Sequence, residues 1–289
     1  MLRCRPAHGA VAFAALLAVV AGARLAAQAP QAQQPMPLDP ARARGSSVTP
    51  AFEGWYENPD GSFSLLVGYF NRNREQALDI PIGPGNKIEP GPADQGQPTH
   101  FEIGREWGVF VIKVPKDFGN KTLTWSITAN GETQSIPLGI TKGYTIEPFQ
   151  ESGMGNKPPE LTFAPTGTKV FGPPTTVAAT YTGAVGQPVA IAFSVTDPKE
   201  VKKGSDLTAR RTAGLVANLS FHKFRGPGGV KFTPDRVEVK TQGETVTAQA
   251  TFDLPGEYLV RVQANDDSGE GGAGFQCCWT NAYVKVTVK

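Results

Sequence analysis

The sequence predicts an all-β protein of two β-sandwich domains, which follow a signal peptide and a flexible tether. Gly (33) and Pro (25) together make up about a fifth of the 289 residues, which disfavours long helices. Hydrophobic residues at 39% suffice for a core, and charged residues at 19% are too few for a disordered chain. Short runs that alternate apolar and polar residues recur along the chain, as is typical of strands.

Residues 1–29 have the features of a signal peptide. Arg3 and Arg5 form a basic start, which an apolar run over residues 10–23 follows. That run is shorter than the roughly 20 residues that span a bilayer, and residues 27–29 (Ala-Gln-Ala) resemble a cleavage site. An uncleaved anchor is the alternative. We therefore expect an exported protein, periplasmic or extracellular.

The charge of the mature chain is close to zero. Without residues 1–29 the chain keeps 25 basic and 26 acidic residues. No block of Lys and Arg is left to neutralise phosphates, so we expect no nucleic-acid partner. No later segment is apolar enough to span a membrane. Residues 30–50, rich in Pro, Gln, Ala and Ser, predict a flexible linker.

Residues 51–148 are predicted to form the first β-sandwich domain. The runs 63–69 and 123–129 alternate as strands do, and Asn130-Gly131 predicts a tight hairpin that returns through residues 136–140. The run 109–114 is apolar on both faces, which is typical of a central strand.

Two further segments of this domain predict turns or loops. Residues 58–61 (Asn-Pro-Asp-Gly) form a strong turn signal. The insert from Ile82 to Pro98 holds eight Gly and Pro residues, so we expect a long irregular loop.

Residues 149–176 are polar and rich in Pro and Gly, which predicts a linker before a second domain. Leu161 and Phe163 can already belong to the first strand of that domain. Residues 177–289 then alternate in five runs, which are Val189 to Val195, Leu215 to Phe221, Val246 to Phe252, Tyr258 to Ala264 and Ala282 to Val288. Short strands at this spacing predict a β-sandwich.

The segment Phe252 to Val260 (FDLPGEYLV) resembles the corner before the sixth strand of immunoglobulin-like, cadherin-like and PKD-like domains. In that corner a tight turn precedes a Tyr whose hydroxyl returns to the backbone, and Tyr258 has the matching position. The resemblance covers residues 177–289 and implies an immunoglobulin-like sandwich. Val260 stands where disulfide-bonded immunoglobulin domains have a Cys, so the resemblance implies no disulfide between the sheets.

The first domain resembles segments of uncharacterised exported bacterial proteins. The resemblance lies in Gly54-Trp55-Tyr56, in residues 68–73 (GYFNRN) and in residues 96–99 (GQPT). Neither resemblance implies an activity, because a fold does not determine a function.

Signatures of catalysis are missing from the sequence. The mature chain has two His residues, His100 and His222, and neither belongs to a spaced metal-ligand motif. We expect His222 on the solvent face of its strand. Nucleophile-elbow, phosphate-loop and Rossmann motifs do not occur, so we expect no enzyme, with a site outside known motifs as the alternative.

Cys277 and Cys278 are the only cysteines after the signal peptide. Three interpretations stay open, which are two small buried residues, a vicinal disulfide, and thiols that bind metal or pair between chains. In an extended strand the two side chains point to opposite faces, which favours one buried and one exposed thiol.

The loop between the last two strands, Asn265 to Asn281, is the candidate interaction loop. The corresponding loop carries binding in antibody variable domains. Its candidate contact residues are Phe275, Cys277, Cys278 and Trp279. The alternative is that Phe275 and Trp279 cap the core.

Two further ligand sites have weaker support. Asp197, Asp266 and Asp267 can meet at one end of the sandwich, where carboxylates suit Ca²⁺, although solvated turn acids are the simpler interpretation. Trp55, Tyr56 and Trp107 lie near turns and can form a sugar-stacking surface, whereas Tyr69 and Trp125 lie on core faces. No other cofactor is expected.

Taken together, the residues predict an exported, non-enzymatic binding or assembly module of the cell envelope. The expected partner is a protein or an envelope glycan. A carbohydrate- or metal-binding module is the alternative, and an enzyme is the least favoured.

Overall fold

The computed structural model describes residues 42–151, 155–164, 166–198, 215–266 and 277–289, and these residues form an all-β fold. The first half contains eight strands: β1 (Val48–Glu57), β2 (Phe63–Asn71), β3 (Leu78–Asp79), β4 (Asn86–Glu89), β5 (His100–Phe101), β6 (Gly104–Val114), β7 (Thr122–Ala129) and β8 (Glu132–Gly139). A single 3₁₀ turn, Lys142–Tyr144, follows them.

Two three-stranded sheets enclose the core of this half. Their strand orders are β1-β2-β6 and β4-β7-β8, and the short pair β3-β5 lies beside them. Trp125 of β7 is fully buried and packs edge-on against Phe110 of β6, with ring centroids 5.1 Å apart. The alternating apolar residues of the sequence therefore meet across the two sheets, as in a small sandwich.

The described residues of the second half form ten strands: β9 (Glu160–Phe163), β10 (Thr168–Val170), β11 (Val177–Gly183), β12 (Pro188–Thr196), β13 (Ala217–Arg225), β14 (Val230–Thr233), β15 (Arg236–Val239), β16 (Glu244–Phe252), β17 (Gly256–Asn265) and β18 (Trp279–Val288). Two five-stranded sheets, β10-β9-β12-β16-β14 and β11-β18-β17-β13-β15, pack around one apolar core. This arrangement is a β-sandwich, as the sequence predicts.

The predicted corner of this sandwich is confirmed. The hydroxyl of Tyr258 donates to the carbonyl oxygen of Leu254 at 2.8 Å, and its ring is buried. Gly226 leaves room for that ring, because a Cβ at Gly226 would lie 2.1 Å from it. The corner therefore has the form that the resemblance implied.

The predicted tight turns of the first half are also confirmed. Asn130 and Gly131 have φ angles of 51° and 82°, and β7 pairs with β8 directly on both sides of them. The amide of Gly61 donates to the carbonyl of Asn58, which closes the turn between β1 and β2.

Residues 42–50, which we expected within the flexible linker, are bound to the first sheet. Val48 begins β1, and Ser46 and Ser47 are buried. Asn73 accepts from the Ser46 amide at 2.7 Å and donates to the Ser46 carbonyl at 3.0 Å. Side-chain hydrogen bonds hold this segment in place, so its low hydrophobicity gave no indication in the sequence that it belongs to the folded domain. The predicted signal peptide (1–29) and residues 30–41 lie outside the described residues.

The expectation of an irregular loop from Ile82 to Pro98 is wrong for its centre. Asn86–Glu89 forms β4, which pairs with β7 as an edge strand and buries Ile88. These four residues contain neither Gly nor Pro, so they can form a strand, whereas the Gly- and Pro-rich residues on either side of them do not continue it.

The predicted linker 149–176 contains two strands of the second half. β9 pairs with β12 and also with β10, so Leu161 and Phe163 lie in the core. The division of the chain into two domains stays a prediction.

The run 109–114 is part of β6, which lies at the edge of its sheet and not at its centre. Residues of the second half contact β6 at Glu106, Gly108 and Val109, which accounts for the burial of Val109 at the start of the run.

Candidate functional site

The candidate interaction loop connects β17 to β18. Asn265 ends β17 and pairs with Trp279, the first residue of β18. The ends of the loop are described, whereas Phe275 and Asp267 lie outside the described residues. The geometry therefore concerns the base of the loop.

Cys277 and Cys278 form a disulfide between neighbouring residues, and a cis peptide bond joins them. Their exposed fractions are 7% and 1%, so both side chains are buried. The expectation of one buried and one exposed thiol is wrong, because the pair precedes β18 and does not adopt an extended strand. The described contact candidates of this loop thus lie at its base and not on the surface.

Polar contacts fix this base to the segment that precedes β9. The side-chain amide of Asn156 donates to Asp266 at 2.5 Å, and the Asp266 amide donates to the carbonyl of Cys278 at 3.2 Å. The hydroxyl of Thr280 donates to the carbonyl of Pro159 at 2.5 Å. The two ends of the loop are therefore joined to each other and to a third segment.

Trp279 anchors the base to the first half. Its side chain is 1% exposed and packs on Gly108 of β6, where a Cβ would lie 2.3 Å from the indole ring. Trp279 therefore does not cap the core of the sandwich, and its ring is not exposed for contact with a partner. It packs between β18 and β6 instead.

The face of β13, β17 and β18 that points away from the sandwich core is polar, and we call it the outer face. On β17 it carries Arg261, Gln263 and Asn265, all of which are buried. The first half covers the part around Arg261. The side chain of Arg261 forms an ion pair with Glu106 of β6 and donates to Asn281 Oδ1 at 3.0 Å.

Hydrogen bonds to the backbone of β6 complete this contact. Asn281 Nδ2 donates to the carbonyl of Gly108 at 3.1 Å, and the hydroxyl of Tyr283 donates to the carbonyl of Val109 at 2.6 Å. Burial raises the pKa of the Tyr283 hydroxyl well above its ordinary value. The two halves therefore share a buried interface in which Arg261, Asn281 and Tyr283 have hydrogen-bond partners, whereas Trp279 Nε1 has none among the described residues.

A charged cluster lies at the edge of this interface. His100 Nδ1 lies 2.9 Å from Asp79 and Nε2 lies 3.5 Å from Glu102, while Lys223 bonds Asp79 at 2.8 Å. Burial alone would lower the pKa of His100, but the hydrogen bonds with Asp79 and Glu102 outweigh it and raise that pKa to about 9. His100 is therefore a cation at neutral pH.

His222 is mostly buried beside this cluster, so the expectation of a solvated His is wrong. Its side chain is 15% exposed because Glu102 of the first half covers the outer face there. Ser220 Oγ lies 2.8 Å from His222 Nε2, but His222 Nδ1 lies 3.8 Å from Glu102. That distance is too long for the hydrogen bond that orients the base of a catalytic triad.

A polar cavity of about 380 Å³ opens on the uncovered part of the outer face. It is lined by Asn218, Leu219, Ser220, Arg236, Val237, Glu238, Asn265 and Asp266. The pairing of the strands brings these lining residues together, because Asn218 of β13 lies between its partners Glu238 of β15 and Asn265 of β17. The cavity thus adjoins the base of the candidate loop.

Asn265 is the unusual member of this lining. Its side chain is 93% buried, with 7% exposed, and its Oδ1 atom has no hydrogen-bond partner. Arg236, exposed on β15, has no carboxylate partner among the described residues. Glu238 bonds Lys240 at 3.4 Å. The cavity therefore presents an acceptor and a guanidinium, neither of which has a partner.

The described residues contain no group of three His, Cys, Asp or Glu side chains that could hold a metal ion. Asp197 and Asp266 are both buried, and Asn156 bonds the latter. The calcium hypothesis depends on Asp267 and so stays untested.

The three aromatic candidates of the first half do not form one surface. Tyr56 is buried, and Trp55 donates its indole N–H to the carbonyl of Thr141 at 2.7 Å. Trp107 is half-buried under the guanidinium of Arg105, whose Cζ lies 3.8 Å from the ring centroid.

Within the described part of the chain, no helix has the length and apolar character that a membrane span needs.

Comparisons with known proteins give no family. No protein family and no curated protein matches the sequence. The D00-D0 domain of intimin is 12% identical over 84% of this chain and 99% of its own, with a TM-score of 0.26. The Yersinia pseudotuberculosis adhesin InvE is 12% identical over 84% of this chain and 58% of its own, with a TM-score of 0.25. Domains 4 and 5 of the S-layer protein SbsC are 10% identical over 84% of this chain and 98% of theirs, with a TM-score of 0.24. At TM-scores this low, the similarities carry no argument.

Sequence reasoning missed the polar cavity. Arg236 and Asn265 are 29 positions apart, and only the pairing of β15, β13 and β17 brings them together. The one signal available was the polar residue at every second position of β17, opposite the core residues, which indicates a covered or ligand-binding face.

Proposed function

We propose that this chain is an exported, non-enzymatic binding or assembly module of the cell envelope, which uses loops on a β-sandwich scaffold. The observation that supports this most is the base of the β17–β18 loop. Asp266 and Cys278 are hydrogen-bonded to each other, and Trp279 is packed against β6. A loop that a rigid scaffold positions in this way is a common seat of binding.

Export is supported by two independent features. The first 29 residues have the pattern of a signal peptide, and Cys277 and Cys278 are disulfide-bonded. Disulfides form and persist in oxidising compartments such as the periplasm and the extracellular space.

The expected partner is a protein or a glycan of the envelope. A carbohydrate- or metal-binding module is the alternative, and an enzyme is the third. Calcium is tested by thermal unfolding of the full chain with calcium and with chelator. A melting temperature that does not change would exclude a calcium site.

The proposal is tested by crosslinking the tagged full chain in intact cells and identifying captured envelope material by mass spectrometry. In the test variant, residues 268–275 are replaced by Gly and Ser at unchanged length. The control replaces Asp117 and Asn120, exposed in a turn of the first half, by Ser. We expect a stoichiometric partner that the loop variant loses and the control keeps. Failure of the unaltered chain to capture any partner would contradict the proposal.

A further inference from the structure

We infer that the polar cavity between β15, β13 and β17 binds a neutral, polyhydroxylated ligand, that is, a sugar unit of a glycan. This inference rests on the proposed function and names the ligand class and the place of binding. It differs from the sugar-stacking surface expected in the first half, because it lies in the second half and needs no aromatic ring.

The first step is the unsatisfied acceptor in the cavity. Asn265 Oδ1 is buried and has no hydrogen-bond partner, and Asn265 lines the cavity. A buried polar atom without a partner costs free energy, about 1–3 kcal/mol, which a ligand donor would recover. The fold therefore keeps a destabilising group in the wall of the cavity.

The second step is the charge of the lining. Arg236 supplies a guanidinium and Glu238 a carboxylate, two residues apart on one face of β15. Asp266 adds a carboxylate that is bonded to Asn156. Lys240, which pairs with Glu238, adds a second positive charge. The charges of Arg236, Glu238, Lys240 and Asp266 therefore sum to zero, so the cavity favours neither an anion nor a cation of full charge.

The third step is the match with hydroxyl groups. Arg236 only donates and Asn265 Oδ1 only accepts, whereas Ser220 does both. A hydroxyl can donate and accept, so neighbouring hydroxyls of one sugar can bond both Arg236 and Asn265, while Ser220 is already hydrogen-bonded to His222. A peptide fits less well, because the side chains of Leu219 and Val237 pack against the core and so do not extend into the cavity to meet apolar side chains of a peptide.

The experiment applies the full chain to an array of neutral, amino and acidic oligosaccharides, with unlabelled peptides as a second array. Neutral oligosaccharides that bind are then titrated by calorimetry. We expect binding to at least one neutral oligosaccharide, weaker by about 5- to 10-fold in Asn265→Ala and in Arg236→Gln, since each variant removes one hydrogen-bonding group.

Asn265→Ala also separates binding from folding. Because Oδ1 has no partner among the described residues and destabilises the fold, this variant should not lower the melting temperature of the unaltered chain while it loses affinity. Asn120→Ala, an exposed change in the first half, is the matched control and should affect neither quantity.

The possible results distinguish this inference from the proposed function. Binding of acidic glycans alone, of peptides alone, or of neutral glycans with equal affinity in both variants would overturn the inference. So would the absence of any glycan binding. If crosslinking nevertheless captures a protein through residues 268–275, the proposed function stands and only the glycan cavity fails.

Discussion

At the scale of single residues, the interface between the halves depends on buried charges that have partners. Arg261 is 2% exposed, and its ion pair with Glu106 lies between β17 and β6. The net stability that such a pair adds is small, because both ions lose their hydration. Removing one partner is costly, since the other charge then stays buried alone.

We therefore expect Arg261→Met to lower the free energy of unfolding by about 3–5 kcal/mol. The double variant Arg261→Met with Glu106→Gln should recover part of this loss, because no lone charge remains. Urea unfolding measures both.

The control for this prediction is Lys113→Met. Lys113 and Asp60 form a pair at 2.7 Å in which both side chains are more than half exposed, so its loss should cost less than about 1 kcal/mol. Equal losses in Lys113→Met and Arg261→Met would contradict the role of the buried pair.

The charged cluster around His100 predicts a pH dependence. The pKa of His100 is raised from 6.5 to about 9 in the folded protein, so protonated His100 stabilises the fold. This stabilisation is complete below the unfolded pKa near 6.5 and is lost as the pH rises through about 9.

We expect His100→Gln to lower the melting temperature at pH 6 by about 2–4 °C, which corresponds to about 1 kcal/mol. The difference from the unaltered chain should vanish above pH 9. Thermal unfolding between pH 6 and 10 measures this, and a difference that stays constant with pH would refute it.

At the scale of elements, the loop base combines an extended hairpin with a covalent link between neighbouring residues. β17 and β18 pair over ten positions, and the last pair, on the side of the loop, is Asn265 with Trp279. The disulfide-bonded Cys277 and Cys278 come immediately before Trp279 in the chain. Both ends of the loop therefore leave the sheet from fixed positions.

The bond between Cys277 and Cys278 has a direct chemical consequence. In the full chain isolated without reductant and unfolded with an alkylating agent, we expect neither thiol to be modified. The intact mass should lie below that of the reduced chain by two hydrogen atoms. After reduction, both residues should become alkylated. Two alkylated thiols without reduction would contradict the disulfide.

The strands with regular alternation could be predicted from the sequence. Val189 to Val195 and Val246 to Phe252 lie in the core as expected, because one face of each strand meets the opposite sheet. Short strands could not be predicted. β4 has four residues and lies between Pro-rich flanks, so its pairing with β7 depends on tertiary contacts alone.

The candidate site was predictable only in part. The position of the β17–β18 loop followed from strand order, since Tyr258 marked the strand before it. The burial of Cys277 did not follow, because its Sγ lies 3.6 Å from the carbonyl oxygen of Asn156, more than 100 positions away. The cavity around Asn265 needed the register of three strands.

At the scale of the whole molecule, residues 41–289 form one compact unit. The core of the first half includes Phe224 of β13 and packs against Tyr283 of β18. A buried contact of this kind couples the unfolding of both halves. We therefore expect one cooperative transition.

Gly108 offers a direct test of this coupling. It has a φ of +49°, and a Cβ there would meet the ring of Trp279 at 2.3 Å. Gly131 has a φ of +82° and no neighbour within 4 Å. Both Gly→Ala changes share a backbone cost of about 1–2 kcal/mol, so their difference measures the contact between the halves.

We expect Gly108→Ala to lower the free energy of unfolding by about 1–3 kcal/mol more than Gly131→Ala. Scanning calorimetry should also show a broadened or divided transition in Gly108→Ala alone. Equal effects of the two changes would mean that the halves unfold independently.

β18 is the last of the described strands in the chain, yet it lies inside its sheet. Its neighbours are β11, which runs parallel to it, and β17. It also carries Trp279, Asn281 and Tyr283, which cover β6. During synthesis, the outside of β6 therefore stays uncovered until β18 has emerged. Because these contacts join residues more than 170 positions apart, folding of this unit should be slow and should finish only after β18 has been synthesised.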